Sequence, residues 1–123
     1  MSRKLDDLEP EMRKLAVEFL ARCVEAGVLV AIVDTRRTKE EQVENVRKGV
    51  SLTLHSKHLT GEAFDVCPYS TWSLHGPDKL QWDHNDPVWQ QLGRIGESVG
   101  LKWALRTKDG RAYDLGHFEK KPK

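Results

Sequence analysis

The chain has 123 residues, 38% hydrophobic and 32% charged, which supplies one ordinary core and leaves no room for two. Its 20 Lys and Arg against 19 Asp and Glu leave a formal charge of +1. That near balance argues against a nucleic-acid binder, whose affinity for phosphate rests on clustered cations.

In chain order, the first residues are basic but have no apolar stretch behind them. No secretory signal is therefore expected, and synthesis is expected in the cytoplasm. A helix is predicted over 8–26, because Leu8, Met12, Leu15, Ala16, Phe19, Leu20 and Cys23 recur at spacings of three and four. Gly27 follows as its cap. Residues 28–33 form the longest apolar run and read as a buried strand; a membrane span needs about 20 such residues, so no stable membrane insertion is expected. Thr38 and Glu41 make a capping box that starts a second helix ending near Gly49. Residues 50–60 are polar and read as a loop. A short strand over 62–66 places Phe64 and Val66 on one face, Ala63 and Asp65 on the other.

Residues 68–86 show no sustained period and read as a long loop, a length usually tied to function. Within it, Trp72 and Trp82 are candidates to line a cleft, while His75, Asp83 and His84 read as solvent-facing. A third helix begins with Asp86 as cap and Pro87 in first position, buries Val88, Trp89, Leu92, Ile95 and Val99, and ends at Gly100. Strands over 101–105 and 112–119 follow, joined by a turn around Asp109-Gly110. The tail 120–123 is expected to be solvated. Cys23 and Cys67 allow at most one disulfide and read as buried thiols. The expected fold class is α+β: a small antiparallel sheet flanked by helices, in a single domain over 1–123.

Chemistry concentrates in two segments. In His55-Ser56-Lys57-His58-Leu59-Thr60-Gly61-Glu62-Ala63-Phe64-Asp65, a Gly-containing turn can fold His58 back beside Asp65. In Asp114-Leu115-Gly116-His117-Phe118-Glu119, His117 and Glu119 share a strand face, and a bend at Gly116 can bring Asp114 near the same point. A catalytic zinc site takes three protein ligands and an open position. His58, Asp65 and His117 have the chemistry for it, with a further acidic group as proton acceptor. Taken singly, each His reads as a loop hydrogen-bonding residue rather than as a ligand. Glu119 reads equally as a solvated carboxylate beside a basic tail, and His55 as a solvated neighbour of the motif.

The pattern Ser56-x-His58-x-x-Gly61-x-Ala63-x-Asp65, followed by Asp114-x-x-His117-Phe118-Glu119, resembles the signature of the zinc D,D-peptidase-like (M15-type) peptidoglycan peptidases, whose fold is also called hedgehog-like. Arg37-Thr38-x-x-Glu41-Gln42 and the Ser-Lys-His-Leu-Thr-Gly wording resemble most the phage L-alanyl-D-glutamate endopeptidase (endolysin) branch. The resemblance implies a zinc-dependent hydrolase that cuts the L-Ala–D-Glu bond of the stem peptide by metal-activated water and lyses the bacterial cell. It implies His58, Asp65 and His117 as Zn2+ ligands, Asp114 as the catalytic carboxylate, and Arg37 beside the scissile carbonyl. It also implies Ser56 and Trp103 as substrate-binding residues. Glu119, which shares a strand face with His117, reads as the residue supporting it. Relatives often carry a Trp-Gly-Gly turn where this chain has Trp103-Ala104-Leu105-Arg106. The expected partner is peptidoglycan, with no separate wall-binding domain and the protein a monomer. It is expected to act on the wall after release through a membrane lesion made by a holin-type pore partner. Within the class, the alternative is a D-Ala-D-Ala carboxypeptidase or dipeptidase. Outside it, the alternatives are a His-metal nuclease and a non-catalytic zinc module.

Overall fold

The computed structural model describes residues 2–49, 56–71 and 79–122. Helix α1, Pro10–Glu25, starts where Glu9 accepts a hydrogen bond from the Met12 N–H at 2.7 Å and Pro10 has no N–H that needs an acceptor. Its buried stripe is Met12, Ala16, Phe19 and Cys23, as the spacing predicts. Strand β1, Val30–Asp34, follows. The complete Thr38–Glu41 capping box starts helix α2, Lys39–Arg47. A 3₁₀ turn at Lys57–Thr60 leads into β2, Ala63–Thr71; β3 is Lys79–Leu80. Helix α3, Val88–Ser98, precedes β4, Leu101–Arg106, and β5, Ala112–Lys120. Asp86 caps α3 through Oδ1, which accepts from the Val88 N–H at 2.9 Å.

The strands form an antiparallel sheet in the order β1-β2-β5-β4, with β3 added alongside the end of β2. One face is apolar. Phe64 of β2 and Phe118 of β5 are register partners, and Phe19 of α1 packs on both with centroids 5.7 and 4.7 Å away. Helix α3 comes down on the same face so closely that a Cβ at Gly93 would overlap the Trp103 ring, and one at Gly96 the Phe118 ring. The opposite face of β2 and β5 carries Asp65, His117 and Glu119. The strand period of two therefore separates core from chemistry residue by residue.

Three features depart from the sequence expectations. The 28–33 run is buried only at Val28; β1 is an edge strand, with Val30, Ala31, Ile32 and Val33 half-buried and Leu29 exposed. The loop expected over 68–86 is partly sheet: β2 runs on to Thr71 and pairs with β3 through Tyr69↔Leu80. Pro68 lies within β2 opposite Val30, and the adjacent Tyr69 N–H makes the bond to β1, donating to the Leu29 carbonyl at 3.0 Å. The loop expected over 50–60 contains the 3₁₀ turn at Lys57–Thr60, too short to leave a periodic signal. His55, Trp72 and His75 lie outside the described residues.

Candidate metal centre and active site

The 3₁₀ turn places His58. Ser56 caps it by accepting the His58 N–H at 3.2 Å, and Gly61 closes it at φ 74°, a left-handed conformation that favours glycine. The backbone N–H of Arg37 donates to the His58 carbonyl at 3.0 Å, tying the turn to the end of β1. His58 is thereby 1% exposed in a segment of polar composition.

The sheet places the other two groups. Asp65 and His117 are register partners across β2 and β5. Between Trp103↔Phe118 and Leu105↔Tyr113, β4 advances two residues while β5 advances five, so β5 carries a bulge of three extra residues. Asp114 lies in that bulge at φ 52°, a left-handed conformation that Asp tolerates better than most side chains. The bend expected at Gly116 is therefore at Asp114. Gly116 has a different task, since a Cβ there would overlap the Val66 carbonyl oxygen and crowd the Trp89 ring.

The hydrogen bonds around the two imidazoles assign their tautomers. His58 Nδ1 lies 2.5 Å from the Thr35 carbonyl oxygen, which can only accept, so Nδ1 carries the proton and Nε2 is left with a lone pair. His117 Nε2 donates to Glu119 Oε1 at 2.9 Å, which leaves Nδ1 with the lone pair. Both lone-pair nitrogens face one oxygen: Asp65 Oδ1 is 3.2 Å from His58 Nε2 and 3.0 Å from His117 Nδ1. One ligand atom from each of His58, Asp65 and His117 lies within 4.8 Å of the others. Three electron-pair donors at that separation repel unless a cation sits among them, either a proton or a metal. Two imidazoles and one carboxylate make a donor set suited to a divalent ion such as Zn2+ with a position left open.

The electrostatics carry the same signature. Burial pushes the Asp65 carboxyl up, but the His117 and His58 hydrogen bonds and charges outweigh it and hold the group well below the usual carboxylate range. Burial lowers His117, yet hydrogen bonds to Asp65 and Glu119 lift it to about 9. Burial also raises Glu119, and the bonds from His117 and Lys57 bring it down to about 2. Lys57 Nζ is 3.1 Å from Glu119 Oε2 and donates to the Lys120 carbonyl at 2.7 Å.

Asp114 stands at the exposed rim of this cluster. Its carboxyl is raised by the protein packed around it and by the negative charge of Asp65, against the pull of His117, His58 and Arg37. It is thus within electrostatic reach of Asp65, His117, His58 and Arg37. The guanidinium of Arg37 donates through Nε to Asp34 Oδ2 at 2.6 Å, through Nη1 to Gln42 Oε1 at 2.9 Å, and through Nη2 to Asp65 Oδ2 at 3.3 Å.

His58, Asp65 and His117 are thus brought together in space from separate segments of the chain. The profile of the phage L-alanyl-D-glutamate peptidase family matches residues 1–119. The chain belongs to this family. Among relatives, the L-alanyl-D-glutamate peptidase of Escherichia phage T5 is 28% identical over 95% of this chain and 91% of its own length. That of Listeria phage A118 is 51% identical over 39 residues, which are 32% of this chain and only 14% of that protein. Two solved structures share the fold. The Serratia marcescens L-Ala D-Glu endopeptidase ChiX superposes with TM-score 0.71 at 22% identity, covering 95% of this chain and 83% of ChiX. The vancomycin resistance D,D-dipeptidase VanXYg superposes with TM-score 0.63 at 18% identity, covering 92% of this chain and 50% of VanXYg.

Of the residues singled out from the sequence, His58, Asp65, His117, Glu119, Arg37 and Asp114 are gathered at one place, and Ser56 caps the turn that carries His58. Trp103 is not among them. Its ring is 8% exposed, lies on the core face opposite Phe118, and gives its N–H to the Leu115 carbonyl at 2.8 Å. Trp89 is core as expected, and Trp82 is 56% exposed, stacked near Trp89 with centroids 6.3 Å apart. Sequence reasoning missed Asp34, the Thr35 carbonyl, Gln42 and Lys57. A signal existed for one: Asp34 ends an apolar run with a charge.

Proposed function

We propose that this chain is a zinc-dependent endopeptidase that hydrolyses the L-Ala–D-Glu bond of peptidoglycan stem peptides. The observation that carries the proposal is the convergence of His58 Nε2, Asp65 Oδ1 and His117 Nδ1, with every outward-facing ring N–H already committed to an acceptor. With those N–H groups committed, the inward nitrogens His58 Nε2 and His117 Nδ1 both face Asp65 Oδ1 and are placed to ligate a metal ion. The choice of bond rests on the names of the phage T5 and A118 relatives and of ChiX.

In this reading His58, Asp65 and His117 hold Zn2+, which supplies Lewis acidity toward a peptide carbonyl and makes water acidic near neutral pH. Asp114 accepts the proton of the attacking water and returns it to the leaving amine as the C–N bond breaks. Arg37 spends three of its five N–H donors on Asp34, Gln42 and Asp65, and the remaining two serve the negative charge that develops on the carbonyl oxygen. Ser56 accepts from the His58 N–H, which leaves its hydroxyl proton for a substrate carbonyl. Glu119 and Lys57 fix the ring of His117 from behind. The protein reaches the wall through a lesion made by a pore-forming partner.

The test is digestion of purified peptidoglycan with and without chelator, with the new amino termini identified by mass spectrometry. Free N-terminal D-Glu, lost in chelator and restored by Zn2+, is the expected product. Release of D-Ala would move the chain to the D,D-dipeptidase activity, and turnover indifferent to chelator would remove the metal from the mechanism.

A further inference from the structure

Asp34 is an expensive residue for its position. It ends an edge strand, is 4% exposed, and its Oδ1 is buried with no hydrogen-bond partner among the described residues. A buried carboxylate costs stability unless it is paired, so its presence calls for a task. Burial pushes its carboxyl up, offset in part by His58 and Arg37.

The register says how it comes to be there. Val30, Ala31 and Ile32 pair with Pro68, Cys67 and Val66 in strict alternation, which would set Val33 opposite Asp65. The pairing slips by one residue instead, and Asp34 stands opposite Asp65. Bulges of this kind re-aim side chains beside sites. Two carboxylates thus face each other across the sheet with the Arg37 guanidinium between them, at 2.6 Å from Asp34 and 3.3 Å from Asp65. Gln42 completes the arrangement. The capping box starts α2 so that Gln42, 1% exposed, turns inward and accepts from Arg37 Nη1. A planar guanidinium held at two of its nitrogens cannot rotate away, and the third bond is then aimed at Asp65 Oδ2. That leaves Oδ1, the oxygen facing both imidazoles, with a fixed direction.

We propose that Asp34 and Gln42 are positioning residues: they lock the plane of the Arg37 guanidinium, and through it the orientation of the Asp65 carboxylate toward His58 and His117. The inference rests on the reading of those three residues as a metal site, and goes beyond it by assigning the site's rigidity to two residues that hold the Arg37 guanidinium. Losing an outer partner of a metal ligand costs on the order of 10–100-fold in metal affinity.

The experiment measures Zn2+ affinity and the visible spectrum of Co2+ in full-length Asp34→Asn, Gln42→Leu, Arg37→Lys and Asp34→Asn/Arg37→Lys proteins. Asp34→Asn is expected to weaken Zn2+ by roughly 10–100-fold and to shift the Co2+ bands, with a smaller effect for Gln42→Leu. The double variant is expected to bind no more weakly than Arg37→Lys alone, because both substitutions act through one guanidinium. A merely structural role would lower stability without moving the ligand field. Unchanged affinity and spectrum in Asp34→Asn, or strictly additive losses in the double variant, would overturn the proposal. Should Asp34→Asn not fold, the hydrogen-exchange rate of the Arg37 Nε–H in the metal-free wild type decides. Slow exchange supports the lock, and exchange as fast as that of an exposed arginine refutes it. A wild type that binds no Zn2+ fails the metal reading itself, and the exchange measurement still judges the lock.

Discussion

His117 and Asp65 stand opposite each other on β5 and β2, with His117 Nδ1 3.0 Å from Asp65 Oδ1. The contact is one a proton or a metal ion can make, and the two compete for it. His117 is lifted to about 9, so at neutral pH the metal-free site holds a proton there. Metal uptake must displace it. Apparent Zn2+ affinity is therefore expected to rise with pH, by about tenfold per pH unit for one displaced proton, and to level off above about 9. Calorimetric titration in buffers of different ionisation enthalpy measures the released proton directly. His58→Ala or His117→Ala should lose both metal and turnover, and elemental analysis of the purified variants checks the first.

His117 and Glu119 together set the alkaline and acid limits of the metal-free protein. The folded pKa of His117 is raised from 6.5, so its contribution is complete below about 6.5 and disappears as pH rises through about 9. Glu119 is lowered from 4.5 to about 2, so its contribution is complete above about 4.5 and disappears as pH falls through about 2. As far as this pair decides, metal-free stability is greatest between about 4.5 and 6.5. Urea denaturation across pH in the presence of chelator measures it, and the Glu119→Gln variant should flatten the acid side.

Asp114 is expected to matter for turnover and not for metal binding. It lies at the rim of the cluster, and the three converging ligand atoms do not include it. Asp114→Ala should lower kcat by about 10²–10⁴-fold, the usual worth of a positioned acid–base group, with Zn2+ content unchanged. Near wild-type turnover would remove it from the proton transfer.

Gly116 places the neighbouring His117 through packing. A methyl group there would meet the Val66 carbonyl oxygen, which is backbone and cannot swing away, and the ring of Trp89. Gly116→Ala should destabilise by about 1–3 kcal/mol and, by pushing β5 off β2, weaken Zn2+ binding as well. Thermal unfolding and metal titration of the one variant read both effects.

Trp103 separates core from cleft. Its ring is buried against Gly93 and its N–H is bonded to the Leu115 carbonyl. Trp103→Phe leaves that carbonyl unpaired and should cost about 1–3 kcal/mol of stability. KM for peptidoglycan fragments is expected to stay as it was. A raised KM at unchanged stability would return this residue to the substrate.

By itself the sequence determined the helices, the strand alternation and the motif residues. Those follow from local physics: the three-and-four spacing of Met12, Ala16, Phe19 and Cys23, the Thr38–Glu41 capping box, the opposed faces of Phe64 and Asp65. Tertiary structure alone decided what lies behind the ligands. Thr35 reaches His58 across 23 residues and Asp65 reaches His117 across 52, distances over which no periodicity carries information. The slip that turns Asp34 to face Asp65, and the three-residue bulge that holds Asp114, are products of strand pairing. Trp103 shows the limit most plainly. Its place in a motif suggests the cleft, and only the packing of α3 on β4 reveals that its ring belongs to the core.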